Sequence, residues 1–197
     1  MSIRITIPSS FQDVTVAQFQ SYKLAKNDWE KVQALSNASM KDVMKIKMSE
    51  ITKLVSICDA VMSEQSRTFK PLVTFNGVDY GFEPNLQGMS TALYVDLATW
   101  CSEANFNSSL GKIMAALYRP VTKRMGKRYD IEEYDSDKHL PNAEVLSQMS
   151  ASILGGVLDF FTVLSKNLKQ TTLSSLEDSI ERTRKELEKM KERNSKK

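Results

Sequence analysis

Asn76-Gly77, set between residues 69–75 and 78–82, constrains this chain more than any other dipeptide in it. It supplies the two positive backbone φ angles that a two-residue hairpin turn requires, and the flanking runs are rich in Phe, Val and Tyr. A β-hairpin is therefore expected at 69–82, and a sheet, however small, must be part of the fold. Ile3, Ile5 and Ile7 alternate with Arg4 and Thr6 ahead of Pro8, the pattern of a half-buried strand that a hairpin elsewhere could partner.

Most of the remaining sequence has helical periodicity. Thr15 and Gln18 match a capping box, and Val16, Phe19, Tyr22 and Leu24 carry an amphipathic helix to about Ala25. A second helix around 29–35 is expected to pack on it. Ile51, Leu54, Val55, Cys58 and Val61 or Met62 form a helical stripe over 49–62, with 40–48 as a helix or an extended approach. Beyond the hairpin, Ser90 can cap a helix carrying Leu93, Tyr94, Leu97 and Trp100 or Cys101. Leu110, Ile113, Met114, Leu117 and Tyr118 mark another, with Ser108 or Ser109 as its cap and Arg119-Pro120 as its end, because proline disfavours helix in the residue before it. Asn142 can cap a longer helix whose apolar face runs through Val145, Leu146, Met149, Ile153, Val157, Phe160, Phe161, Leu164 and Leu168. Gly155-Gly156 in its middle costs roughly 1 kcal/mol per glycine relative to alanine, so a close crossing or a kink is expected there.

Leu173, Leu176, Ile180, Thr183, Leu187 and Met190 keep the alternating three and four step of a coiled coil. The expected class is thus mainly α within α+β: a helical body, a small hairpin or short antiparallel sheet, and a C-terminal amphipathic, coiled-coil-like helix. The segments are 1–66, a strand and helical unit; 67–170, the hairpin plus helices, packed with the first as one domain; and 171–197, a charged helix and tail.

Charge is patterned rather than extreme. The net +3 is modest, and residues 181–197 hold eight basic and four acidic side chains, so the excess sits in the tail. Between Lys112 and Arg128 there are six basic residues and no carboxylate, and from Asp130 to Asp137 five carboxylates and no base. This inversion is expected on an exposed connector, either a solvated loop or a docking surface for a protein. Acidic neighbours would repel phosphate, which disfavours nucleic acid.

Sites of chemistry are sparse. His139 is the single histidine, and with Cys58 and Cys101 far from it makes no zinc spacing. Asp135, Asp137 and His139 form a solvated turn on this reading. Glu132 and Glu133 lack surroundings that would separate their acid strengths. Phosphate-binding, dinucleotide and serine-hydrolase motifs do not occur. No enzyme activity, cofactor or metal is expected. The two cysteines, each among apolar neighbours, are expected as buried thiols, which fits the cytosol. No secretory pattern opens the chain, and the most apolar run, 153–164, falls well short of the roughly 18 residues of a membrane span.

The stretches IPSSFQDVTVAQFQSY, FNGVDYGFEPNLQGMSTALYVDLATW, LGKIMAALYRPV followed by YDIEEYD, and ILGGVLDFFTVLSKNL together resemble small tailed-bacteriophage proteins grouped with virion assembly and tail-assembly chaperones. The resemblance covers about residues 1–175. It implies a non-enzymatic assembly factor that binds a phage virion or tail protein in the host cytoplasm. A structural virion subunit is the alternative, and nucleic-acid binding through 112–128 and the tail is the third. The expected partner-binding residues are Tyr118, Arg119, Lys123, Arg124, Arg128, Tyr129, Glu132, Glu133 and Tyr134 on the connector, and Leu176, Ile180, Leu187 and Met190 on the last helix, which is also the expected route to a homo-oligomer.

Overall fold

Thr15 accepts from the Gln18 backbone N–H while the Gln18 side chain accepts from the Thr15 N–H, and this reciprocal cap starts α1 (Val16–Leu24). In the computed structural model the described residues are 4–64, 69–85, 88–101, 105–155, 157–159 and 162. Asn27 caps α2 (Asp28–Leu35), Ser39 caps the single-turn α3 (Met40–Val43), and α4 (Met48–Ser63) follows. Val32, Val43, Ile51 and Val55 pack into one buried cluster, with Ala38, Ile46 and Leu54 against it. The first half of the stripe read at 49–62, Ile51, Leu54 and Val55, therefore packs with Val32 of α2 and Val43 of α3.

The hairpin forms where Asn76-Gly77 places it. β1 (Leu72–Phe75) pairs antiparallel with β2 (Val78–Phe82), and the turn residues have φ of 48° and 77°. α5 (Thr91–Trp100) is capped by Ser90, and α6 (Leu110–Leu117) follows a short 3-10 turn. Neither Ser108 nor Ser109 caps α6 through its side chain; the Ser108 hydroxyl donates instead to Asn105 O at 2.8 Å.

The expected exposed connector after α6 is instead a second hairpin. The helix stops at Leu117 as the proline requires, but the chain passes directly into β3 (Tyr118–Met125), turns at Gly126-Lys127, and returns as β4 (Arg128–Ile131). Gly126 has φ 62° at the first turn position, the requirement of a type II′ turn. Tyr80, Gly81 and Phe82 of β2 pair with Pro120, Arg119 and Tyr118, giving one antiparallel sheet in the order β1-β2-β3-β4. The chain is thus α+β.

Two further segments differ from expectation for identifiable reasons. Residues 4–8 form no strand; Thr6 instead exchanges hydrogen bonds with Asn37, one to its side chain at 3.0 Å and one from its backbone at 3.4 Å. The long helix from Asn142 is also interrupted: after α7 (Ser136–His139) comes α8 (Ala143–Leu146), which ends before residues 147–153 turn away. Their backbone is used elsewhere. The first N–H groups of a helix have no partner within it, and in α1 those of Val16 and Ala17 bond to Met149 O at 2.9 Å and Ser147 O at 2.8 Å. Ala151 N–H bonds to Val14 O at 2.7 Å, and Ser150 donates its hydroxyl to Gln12 O at 2.7 Å. A straight helix could not supply those carbonyls.

Residues Met1–Leu158 make one compact unit, which contains both the helical segment and the two hairpins. The expected helix seam of Leu176, Ile180, Leu187 and Met190 lies outside the described residues. Cys58 and Cys101 are buried free thiols, their acidity weakened by burial to pKa values of about 11 and about 12. Among the described residues, no helix is long and apolar enough to cross a membrane.

Candidate functional site

β3 carries two kinds of surface in eight residues. At its start Tyr118 and Arg119 are 1% and 3% exposed, and from Thr122 to Arg128 every residue is exposed. The base of the hairpin is therefore core, and its tip projects into solvent.

The base is built around the Arg119 guanidinium. It pairs with Glu83, which follows β2, and donates to Glu132 O at 2.8 Å. Its central carbon Cζ lies 5.9 Å from the Tyr134 ring centre, and Tyr134 donates its hydroxyl to Asp96 on α5 at 2.6 Å. Glu132 receives Lys138 at 2.7 Å and lies 3.2 Å from His139 Nε2. His139 is 1% exposed and stacks on Tyr134 at 6.1 Å, while its Nδ1 lies 2.8 Å from Asp135 O and 3.1 Å from Asp135 N. The expected solvated turn at Asp135–His139 is thus a capped single-turn helix carrying a buried histidine. Asp135 is spent on the Asp137 and Lys138 backbone N–H groups, and no cluster of three metal-ligating side chains occurs among the described residues.

These contacts join the hairpin base to α5 and α7. Their electrostatics follow from burial and pairing. The Lys138 bond, then the His139 bond, holds the Glu132 carboxyl below the ordinary value. Burial, followed by the Asp96 bond, raises the Tyr134 phenol, and burial lowers the Arg119 guanidinium against the opposing pull of Glu83. Arg119 Nε is buried with no hydrogen-bond partner among the described residues. A cleft of about 470 Å³ opens beside the cluster, lined by Glu83, Ser90, Leu93, Arg119, Glu132 and Tyr134.

The tip has a different composition. Lys123, Arg124, Lys127 and Arg128 are all exposed, and Met125 between them is 60% exposed. Arg124 reaches Asp79 on β2 at 3.7 Å; among the described residues no carboxylate pairs with Lys123, Lys127 or Arg128. Tyr129 lies half-buried, its ring over Gly81 and its hydroxyl donating to Phe82 O at 2.7 Å.

The nine connector residues expected at the site thus divide. Lys123, Arg124, Arg128 and Glu133 are exposed; Tyr129, Glu132 and Tyr134 are half-buried and hydrogen-bonded; Tyr118 and Arg119 are interior, Tyr118 donating to Lys70 O at 2.8 Å. The assignment of Tyr118 and Arg119 to an exposed surface is corrected by this burial. Glu83, Asp96, Lys138 and His139 are the members of the cluster that periodicity did not select. The single histidine was the one available hint. Comparison with family models, with curated proteins and with solved structures gives no match to this chain.

Proposed function

We propose that this chain is a non-enzymatic bacteriophage assembly factor, a tail-assembly chaperone, that holds a virion polypeptide with the tip of its β3–β4 hairpin. The observation that carries the reading is the run of seven exposed residues from Thr122 to Arg128, with four cations and a 60% exposed methionine on a hairpin whose base is locked by buried ion pairing. An unbranched thioether adapts to varied apolar surfaces, and the surrounding cations steer an acidic partner towards it. A hairpin anchored at its base presents that contact without first having to order, which lowers the entropic cost of binding. The resemblance to phage assembly proteins supplies the class of partner.

The test is recovery of partners, after nuclease treatment, by the tagged full chain in cells infected with a phage that encodes it, set beside the Lys123→Ala/Arg124→Ala/Lys127→Ala variant. A specific tail or virion polypeptide held by the parent and lost by the variant is the expected result. Recovery that depends on nucleic acid, with no virion polypeptide retained, sinks the proposal in favour of phosphate binding by the same cations. Stoichiometric presence of the chain in purified particles would move it from chaperone to virion subunit.

A further inference from the structure

β4 is the outer strand of the sheet on the side away from β1. Strands in that position carry a row of backbone donors and acceptors ready to pair, and folded proteins commonly blunt them with bulges, prolines or charges. The irregularity in this hairpin falls on the inner strand, between Val121 and Lys123, so residues 128–131 of β4 run without an inserted residue or a proline. The two-residue turn makes Met125 and Arg128 the hydrogen-bonded pair that closes the hairpin, and the alternation of antiparallel ladders then turns the Tyr129 N–H and C=O away from β3.

The charges on β4 differ from those of a blunted edge. Arg128 and Asp130 are both exposed, share one face of the strand, have opposite sign, and have no ion-pair partner among the described residues. An antiparallel partner strand of the same sequence, related by a twofold axis normal to the sheet, places residues of like face opposite one another. Centred on Arg128, that pairing sets two guanidinium groups together; centred on Asp130, it sets two carboxylates together at the axis and leaves Arg128 facing only Glu132, which Lys138 and His139 already hold. Centred on Ile131, it sets Asp130 against Glu132. Only with Tyr129 at the axis does Arg128 meet Asp130, and it does so twice. That register also brings together the two outward-facing Tyr129 backbones, which can exchange N–H···O bonds.

The geometry points to a second copy of this chain as the occupant of the β4 edge, paired antiparallel about Tyr129 with reciprocal Arg128–Asp130 contacts, making one continuous sheet of two copies. The occupant follows from charge complementarity that is closed upon itself. An unrelated strand would have to reproduce the same alternation.

Sedimentation of the purified full chain, without partner or nucleic acid, tests it. The parent is expected as a dimer. Arg128→Asp gives a strand with two acids and Asp130→Arg one with two bases, so each alone weakens self-association by about tenfold or more. Mixed in equal amounts, the two variants restore a dimer containing one of each. Both positions are exposed, and circular dichroism matching the parent's confirms that the fold is kept. A monomeric parent, a dimer that neither substitution weakens, or a mixture that fails to associate overturns the proposal. Because no virion protein enters this measurement, its failure leaves the capture experiment standing, and failure of capture leaves the dimer standing.

Discussion

The base and the tip of the β3–β4 hairpin belong to the same eight-residue strand and behave as opposite materials. Arg119 is a cation 3% exposed, tied to Glu83 and to the Glu132 carbonyl; Lys123, four residues on, is a cation in solvent with no carboxylate partner among the described residues. Formal charge is the same in both places. What differs is the cost of leaving water, which pairing must offset at the base and which never arises at the tip. A run of basic residues therefore has no single meaning.

Substitutions can break this contrast. The largest effect is expected at Arg119: Arg119→Ala leaves Glu83 uncompensated at a site where its side chain is 11% exposed, and stability to urea should fall by about 3–5 kcal/mol. An unfolding midpoint equal to that of Lys123→Ala would abolish the distinction between base and tip. Next is Gly81→Ala. An added methyl would lie 2.5 Å from Tyr129 Cε2 and 2.7 Å from Ile131 Cγ2, both on β4, so a loss of about 1–3 kcal/mol is expected from overpacking. Retained stability there would show that Tyr129 is free to lift from the sheet.

Tyr134→Phe removes the hydroxyl that bonds Asp96 and should cost about 0.5–1.5 kcal/mol in the same assay. A smaller, pH-dependent effect belongs to Glu132. Its pKa is lowered on folding, first by Lys138, so its contribution is present above the unfolded carboxylate value and is lost as pH falls through the folded one. The melting temperature of Glu132→Gln should therefore lie below the parent's near neutrality and converge on it in acid; parallel curves would refute the assignment. Smallest of all, Lys123→Ala and Lys127→Ala should each shift stability by no more than about 0.5 kcal/mol. Any effect of these two on partner capture is then an effect on binding.

Local rules made much of the fold legible. The Asn76-Gly77 turn, the Thr15–Gln18 capping box, the Ser90 cap and the stripe from Ile51 to Met62 are all realised by contacts within a few residues or along one helix face. The second hairpin was harder to read because its turn, Gly126-Lys127, lies inside a charge run whose side chains hide the strand pattern, and because Arg119 is buried by Glu83 just after β2 and by Glu132 and Tyr134 just after β4, which meet it only in the folded chain. The end of α8 was not legible at all: it is set by N–H groups of Val16 and Ala17, which nothing near Ser147 in sequence announces. At the candidate site, the exposed tip was visible in the charge pattern, and the cluster beneath it was not, since Glu83, Asp96 and His139 come together only through tertiary structure.

The seam between residues 12–17 and 147–151 also sets an order of events during synthesis. Its partners are as much as 138 positions apart, Ser150 to Gln12, and at ribosomal rates of about 5–20 residues per second the later segment is made roughly 7–28 s after the earlier one. Throughout that interval the opening N–H groups of α1 lack the carbonyls that complete them. On the nascent chain α1 therefore has its own Thr15–Gln18 cap but not these carbonyls, and the seam cannot close until nearly all of this unit has been made.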